Sequence, residues 1–359
     1  KKLSGVWIMA YTTIDDPTIF FKTQLRNGLN GGSDTAFDIG FQPDWIWDKS
    51  RSTTGVQALY DSVRGFGSSG KVIYADSGNV EATNALIKSV SSTGYTIEES
   101  ADHSSSVTIV DWCWKAGTSF SNSAGYNGAD LASSGSYNRT CGFSIVTFTG
   151  NATADQQVYH GLNSVPKWIL LKNRTNSNGE SWCVYHVDVG NTKKLTLDTT
   201  ATPTTNVEFW QDTTPTSTVF TVGRQDAVNG SGNTHVAYCF SEVQGYSKFG
   251  TYRGTSSSTD GSYTWLGFKP AWVMMKRTDS ADWWGIHDNG RSTFNPNAPH
   301  LEADSTGAEG DGPEMDFLSN GFKMRNTNAG MNNSSGTYVY MAFAESPFVN
   351  SNGIPNNAE

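Results

Sequence analysis

The chain has 359 residues, of which 12% are aromatic and only 16% charged, with 37 glycines and a formal net charge of −9. The acidic balance and the lack of a basic run argue against nucleic acid as a partner, and no apolar stretch reaches the roughly 18 residues of a membrane span. A chain of this length can bury a sizeable core, and its aromatic, Gly-, Ser-, Thr- and Asn-rich make-up predicts antiparallel sheets joined by many turns.

Residues 1–18 read as a lead-in; residues 1–8 are positively charged but lack a long apolar stretch, which argues against a signal peptide. A first repeat, residues 19–117, opens on the apolar run Phe20-Phe21-Lys22-Thr23-Gln24-Leu25 and then carries Gly40, Pro43, Trp45 and Lys49. The segment Glu81-Ala82-Thr83-Asn84-Ala85-Leu86-Ile87-Lys88 is the one candidate helix. The repeat closes on Val110-Asp111-Trp112-Cys113-Trp114. Residues 118–140 are rich in Ser, Gly and Asn and read as a linker or long surface loop.

A second repeat, residues 141–244, opens on Phe143-Ser144-Ile145-Val146-Thr147-Phe148 and carries Gly161, Pro166, Trp168 and Lys172. It closes on Val236-Ala237-Tyr238-Cys239-Phe240. A third, residues 245–346, opens on Tyr246-Ser247-Lys248-Phe249, carries Gly267, Pro270, Trp272 and Lys276, and closes on Val339-Tyr340-Met341-Ala342-Phe343. In every copy Trp follows Pro by two residues and Lys follows Trp by four. An aromatic strand precedes each closing strand, at Tyr95, Phe220 and Phe322. The expectation is an all-β chain of three tandem antiparallel β-sandwich, jelly-roll-like modules, followed by a loose polar tail over residues 347–359.

The repeated residues have a structural reading. Pro suits the first residues of a strand. Trp supplies a large buried area and one N–H that needs a partner. Lys can pack its stem while its ammonium reaches water. Asn30-Gly31, Asn127-Gly128, Asn178-Gly179, Asn229-Gly230 and Asp260-Gly261 read as turns. Cys113, Cys141, Cys183 and Cys239 lack CxxC spacing, and Cys113 and Cys239 align with Ala342, so they read as free buried thiols of a chain assembled in a reducing cytoplasm.

Residues of catalytic type are scattered. His186 and His287 follow the Trp strand where the first copy has Tyr60-Asp61, and read as solvated polar strand ends. Glu98, Glu99, Asp111, Glu208, Glu242, Glu314, Asp316 and Glu345 show no spacing that picks out an acid/base pair. The densest acidic stretch, Asp311-Gly312-Pro313-Glu314-Met315-Asp316, reads as a solvated loop, with Ca²⁺ held by loop carbonyls as the alternative. Gly65-Phe66-Gly67-Ser68-Ser69-Gly70-Lys71 resembles a phosphate loop in its letters, but Val72 stands where Mg²⁺ binding needs Ser or Thr, so it reads as a turn. The expectation is therefore a chain that is not an enzyme, with no catalytic, cofactor-binding or metal residues and no cofactor.

The chain also resembles virion-associated proteins of tailed phages, many of them from marine bacteria. The resemblance rests on Met9-Ala10-Tyr11-Thr12-Thr13, Gly40-Phe41-Gln42-Pro43-Asp44-Trp45, Trp112-Cys113-Trp114-Lys115-Ala116-Gly117, Gly267-Phe268-Lys269-Pro270-Ala271-Trp272 and Ser346-Pro347-Phe348-Val349-Asn350, and it covers nearly the whole chain. Such proteins look as if they start at the Met-Ala-Tyr-Thr stretch, so residues 1–8 depart from the pattern. The resemblance implies a virion structural protein and supplies no catalytic residues. The leading expectation is a tail-fibre or head-fibre component that contacts host surface glycans. A capsid decoration or fibre-building protein without a ligand comes second, and a glycan depolymerase third. The expected partners are further copies of the chain (a trimer by analogy), other virion proteins and host polysaccharide, without nucleic acid or membrane insertion.

Overall fold

The Gly-Pro-Trp-Lys stretch becomes a strand in every copy: Trp45–Ser50, Trp168–Asn173 and the longer Phe268–Arg277. These tryptophan strands come from a computed structural model that describes residues 11–356; residues 1–10, including the unmatched first eight, and residues 357–359 lie outside the described part. Each tryptophan strand lies between a closing strand (Thr108–Trp114, Thr234–Phe240, Thr337–Pro347) and a hairpin strand (Gln57–Asp61, Cys183–His186, Trp284–Asp288). An opening strand (Phe21–Asn27, Phe143–Thr149, Ser247–Arg253) flanks the closing strand on its other side.

The register is the same three times. Trp45, Trp168 and Trp272 face Trp114, Phe240 and Phe343, and Lys49, Lys172 and Lys276 face Val110, Val236 and Val339. Pairing is nested: the opening strand meets the closing strand, and Thr35–Asp38, Gln156–Tyr159 and Tyr263–Trp265 meet Gly94–Ile97, Val219–Val222 and Gly321–Met324. A jelly roll nests its strands in this way. Here the pattern ends one step in, because each tryptophan strand pairs with the strand that follows it. The fold is all-β, with sheets packed face to face.

Several local expectations are corrected. Residues 81–88 are not helical. Ala82–Thr83 and Ile87–Ser91 are strands, paired to Lys71–Tyr74 and Gly94–Ile97. Between them the Asn84 side chain accepts from the Leu86 N–H at 2.8 Å, a local turn that competes with helix. The segment 118–140 is no linker. Thr118–Asn122 and Ser133–Asn138 extend the sheet of the second unit, and Gly135 is needed there because a Cβ would fall 1.9 Å from the Ile145 carbonyl oxygen. The tail up to Asn356 is tied down. Ser351 donates from its N–H and hydroxyl to Asp15 at 2.6 and 2.5 Å, and the Phe348 N–H donates to Gly267 at 3.1 Å.

Each unit has its own small core, but one larger core runs through all three. It contains Trp45, Trp112 and Trp114, then Phe143, Trp168 and Phe240, then Trp272, Trp284 and Phe343. The ring of Trp45 lies 4.6 Å from that of Tyr238, Trp114 lies 5.6 Å from Trp272, and Trp168 lies 6.0 Å from Trp284. The indole N–H groups of Trp45, Trp168 and Trp272 are buried without a hydrogen-bond partner, contrary to the expectation that each would find one. An unpaired buried donor costs about 1–3 kcal/mol. Burying an aromatic ring of this size gives roughly 4–6 kcal/mol, so packing wins.

The units close into a ring through one repeated set of bonds. Gln57 Nε2 donates to the Glu302 carbonyl at 2.7 Å, Trp284 Nε1 to Thr196 at 2.9 Å, and Trp182 Nε1 to Tyr74 at 2.8 Å. Two residues earlier in each unit, the Gly55, Asp282 and Glu180 N–H groups donate to Thr306, Thr200 and Gly78, each at 2.9 Å. The first unit thus holds the third, the third holds the second, and the second holds the first. The motif is an internal pseudo-threefold.

Candidate functional site

The shared polar residues are consumed by this ring. The three lysines do not reach water. Lys49 donates to the carbonyls of Gly55 and Thr306 at 2.5 and 3.0 Å, Lys276 donates to Thr200 at 2.8 Å and to Asp282, and Lys172 donates to Glu180. Burial pushes all three ammonium groups down to about 8, so they remain charged at neutral pH. In each unit an aspartate (Asp76, Asp198 or Asp304) accepts the N–H at the start of the hairpin strand, at 2.9–3.0 Å.

The histidines need a correction. The residues facing the motif Trp are Asp61, His186 and Asp288, so His287 is one position out of step with His186. Neither histidine is solvated. Burial pushes His186 down to about 4 and His287 to about 3, which keeps both neutral. The Asp188 N–H donates to His186 Nδ1 at 3.0 Å, and His287 Nδ1 lies 3.3 Å from Asn297 Oδ1. Where His186 has Val189 three residues on, Asp61 pairs with Arg64 and Asp288 with Arg291. Those two pairs lie at unit boundaries: Tyr238 donates to Asp61 at 2.7 Å and Trp112 Nε1 to Asp288 at 3.0 Å. Glu81 joins Arg64 to Arg174, and Glu309 joins Arg291 to Arg51, so each glutamate clamps two units.

The candidate carboxylates do not converge. Asp111 is buried against Arg26, Glu208 holds Arg224, Glu98 holds Lys88, and Glu345 accepts from Asn289. Glu314 and Asp316 lie two residues apart on one strand. The stretch expected as an acidic loop is part of a strand, Gly310–Leu318, whose Met315 and Phe317 turn into the core of the third unit. Among the described residues, no group of three or more His, Cys, Asp or Glu side chains is placed to hold a metal ion.

Glu314 opens instead onto a cleft of about 690 Å³ in the third unit, together with Trp283, His300, Glu302, Asp311 and Arg325. Trp283 follows from the sequence only in hindsight. Neighbouring residues of a strand point to opposite faces, so with Trp284 in the central core, Trp283 turns to the other face, where it packs half-buried against the third unit's own core. Its ring rests on Gly330, where a Cβ would come within 2.5 Å. The His300 ring lies 5.6 Å from it, tilted by 38°, and His300 Nδ1 is 3.2 Å from the Gly310 carbonyl. Arg325 Nε lies 3.5 Å from Asp316, and Asn326 Nδ2 donates to the Glu314 carbonyl at 2.8 Å. An aromatic face beside carboxylates, a guanidinium and amides can stack a sugar ring and bond its hydroxyls.

A family model described as a domain of unknown function, DUF7483, matches residues 16–347. The chain belongs to this family. The DUF7483 match takes in all three strand sets and the cleft as one unit. No curated protein and no solved structure matches the chain.

Proposed function

We propose that this DUF7483 protein is a structural protein of a phage virion surface, a tail-fibre or head-fibre component that contacts host surface glycans through the cleft of its third unit. The observation that carries the glycan part is the pairing of Trp283 and His300 with Glu302, Glu314 and Arg325 in one hollow. The virion part rests on the resemblance of the sequence to tailed-phage virion proteins. Partners on this reading are further copies, other virion proteins and host polysaccharide.

The test is binding of purified protein to a glycan array and to host cells. Saturable binding that falls about tenfold in Trp283→Ala is expected, the worth of one stacking contact. Glu314→Gln, at an exposed side chain, serves as the second variant should Trp283→Ala unfold. Binding by neither method sinks the glycan reading.

A second reading, a decoration or fibre-building protein without a ligand, is favoured by the burial of the three shared lysines in the ring. It predicts lost particle stability with normal adsorption when the gene is deleted.

A further inference from the structure

The cleft does not end at Arg325. The sheet continues from Gly310–Leu318 to Gly321–Met324 and ends on the edge strand Tyr263–Trp265. Met315, Phe317, Phe322, Met324 and Thr264 point inward and are buried. Alternation therefore places Asp316, Lys323, Arg325, Tyr263 and Trp265 on the outward face. The register sets Asp316, Lys323 and Tyr263 side by side in one row, and Leu318, Gly321 and Trp265 in the next.

Tyr263 and Trp265 stay 46% and 50% exposed, as neighbours on one face of an edge strand. Their positions are held. The Tyr263 hydroxyl donates to Asn320 Oδ1 at 2.6 Å, and Lys248 Nζ backs the Trp265 ring at 4.1 Å from its centroid. Gly321 has no side chain to stand beside Trp265 on that face. Two strand spacings, roughly 10 Å, separate the Gly310–Leu318 strand from this aromatic pair. The groups between are hydrogen-bonding ones that pair with each other: Arg325 with Asp316 at 3.5 Å and Lys323 with Asp260 at 3.6 Å.

We infer that Tyr263 and Trp265 form a distal subsite continuous with the cleft, so that the protein binds an extended polysaccharide laid across the strands rather than a single terminal sugar. This rests on the glycan reading. The ligand class is a neutral oligosaccharide. Glu302, Asp311, Glu314 and Asp316 outnumber Arg325 and Lys323 along the track and repel an anionic polymer. Rings at both ends with paired polar groups between them match a chain whose apolar sugar faces stack and whose hydroxyls bond the middle.

The experiment measures affinity of the full chain for neutral β-linked gluco-oligosaccharides and N-acetylglucosamine oligomers of increasing length. Anionic alginate oligomers serve as the comparison. Affinity rises with length and is stronger for the neutral series. Trp265→Ala and Tyr263→Ala each remove most of the gain with length, about tenfold, while leaving the shortest oligomer and Tm unchanged. Both side chains are exposed, so these variants fold. Binding that is independent of length, or a length gain untouched by both variants, overturns the distal subsite and leaves the cleft reading standing. An alginate preference overturns the ligand class, and no binding of any series overturns the cleft reading too.

Discussion

The first and third units solve the same packing problem with opposite chemistry. At three matching positions the first unit has Arg26, Asp48 and Asp111, and the third has Tyr252, Met275 and Tyr340. Arg26 is buried and reaches Asp48, Asp102 and Asp111 at 2.5, 2.6 and 2.7 Å, with the Tyr95 hydroxyl on Asp111. In the third unit Tyr252 stacks on Tyr338 with centroids 4.8 Å apart and donates to the Met331 carbonyl at 2.8 Å. The strand frame is the same, so the frame does not require the charges. The second unit agrees, with Phe148, Leu171 and Ala237 at these places. A buried ion cluster is weak evidence of net stability. What it adds is intolerance: each member depends on the others.

That intolerance gives the largest expected effect. Arg26→Met leaves three carboxylates buried without their cation and costs about 3–5 kcal/mol. Urea unfolding at pH 7 measures it. A loss under 1 kcal/mol would show that the cluster is less dependent on its cation than the geometry implies. The matching change in the third unit is smaller. Tyr252→Phe keeps the stacked ring and removes one hydrogen bond, leaving the Met331 carbonyl short of a donor, for about 1–2 kcal/mol. If the two variants cost the same, the contrast between the units has no energetic content.

The contrast also shows what a sequence carries. The strands of the repeat were legible because Pro, Trp and Lys recur at fixed spacing and each reports a local property. The roles of the three lysines were not. A Lys at a strand end fits a solvated ammonium as well as a buried one, and the carbonyls that decide between them, Thr306 and Thr200, belong to another unit. For the same reason Asp61 looked like a divergent strand end until the register set it, with Asp288, opposite the motif Trp. Burial of Arg26 could not be read from an alternating strand with polar residues on either side. The cleft was half legible: Asp311 and Glu314 stood out by their density, whereas Trp283 and His300 gave no signal until the sheet set them together. The segment 118–140 misled because Ser and Gly are common in loops, yet they also suit a short polar edge strand.

The smallest expected effect separates charge from shape within the ionic cluster. Burial raises the Asp48 carboxyl well above its usual range; Arg26 pulls it down, and the facing Asp111 pushes it up again. A carboxyl whose folded value lies above its unfolded one, near 3.9, holds its extra proton in the native state. That stability is fully present below the unfolded value and is lost as pH rises through the folded one. Asp48→Asn keeps an oxygen that can accept from Arg26 and resembles the protonated form, but cannot titrate. Near pH 4 the variant therefore unfolds within about 1 kcal/mol of the parent. As pH rises towards 8, its Tm gains steadily on that of the parent. Parallel Tm curves from pH 4 to 8 would mean that Asp48 holds no such proton, and that the first unit balances its cluster by charge pairing alone.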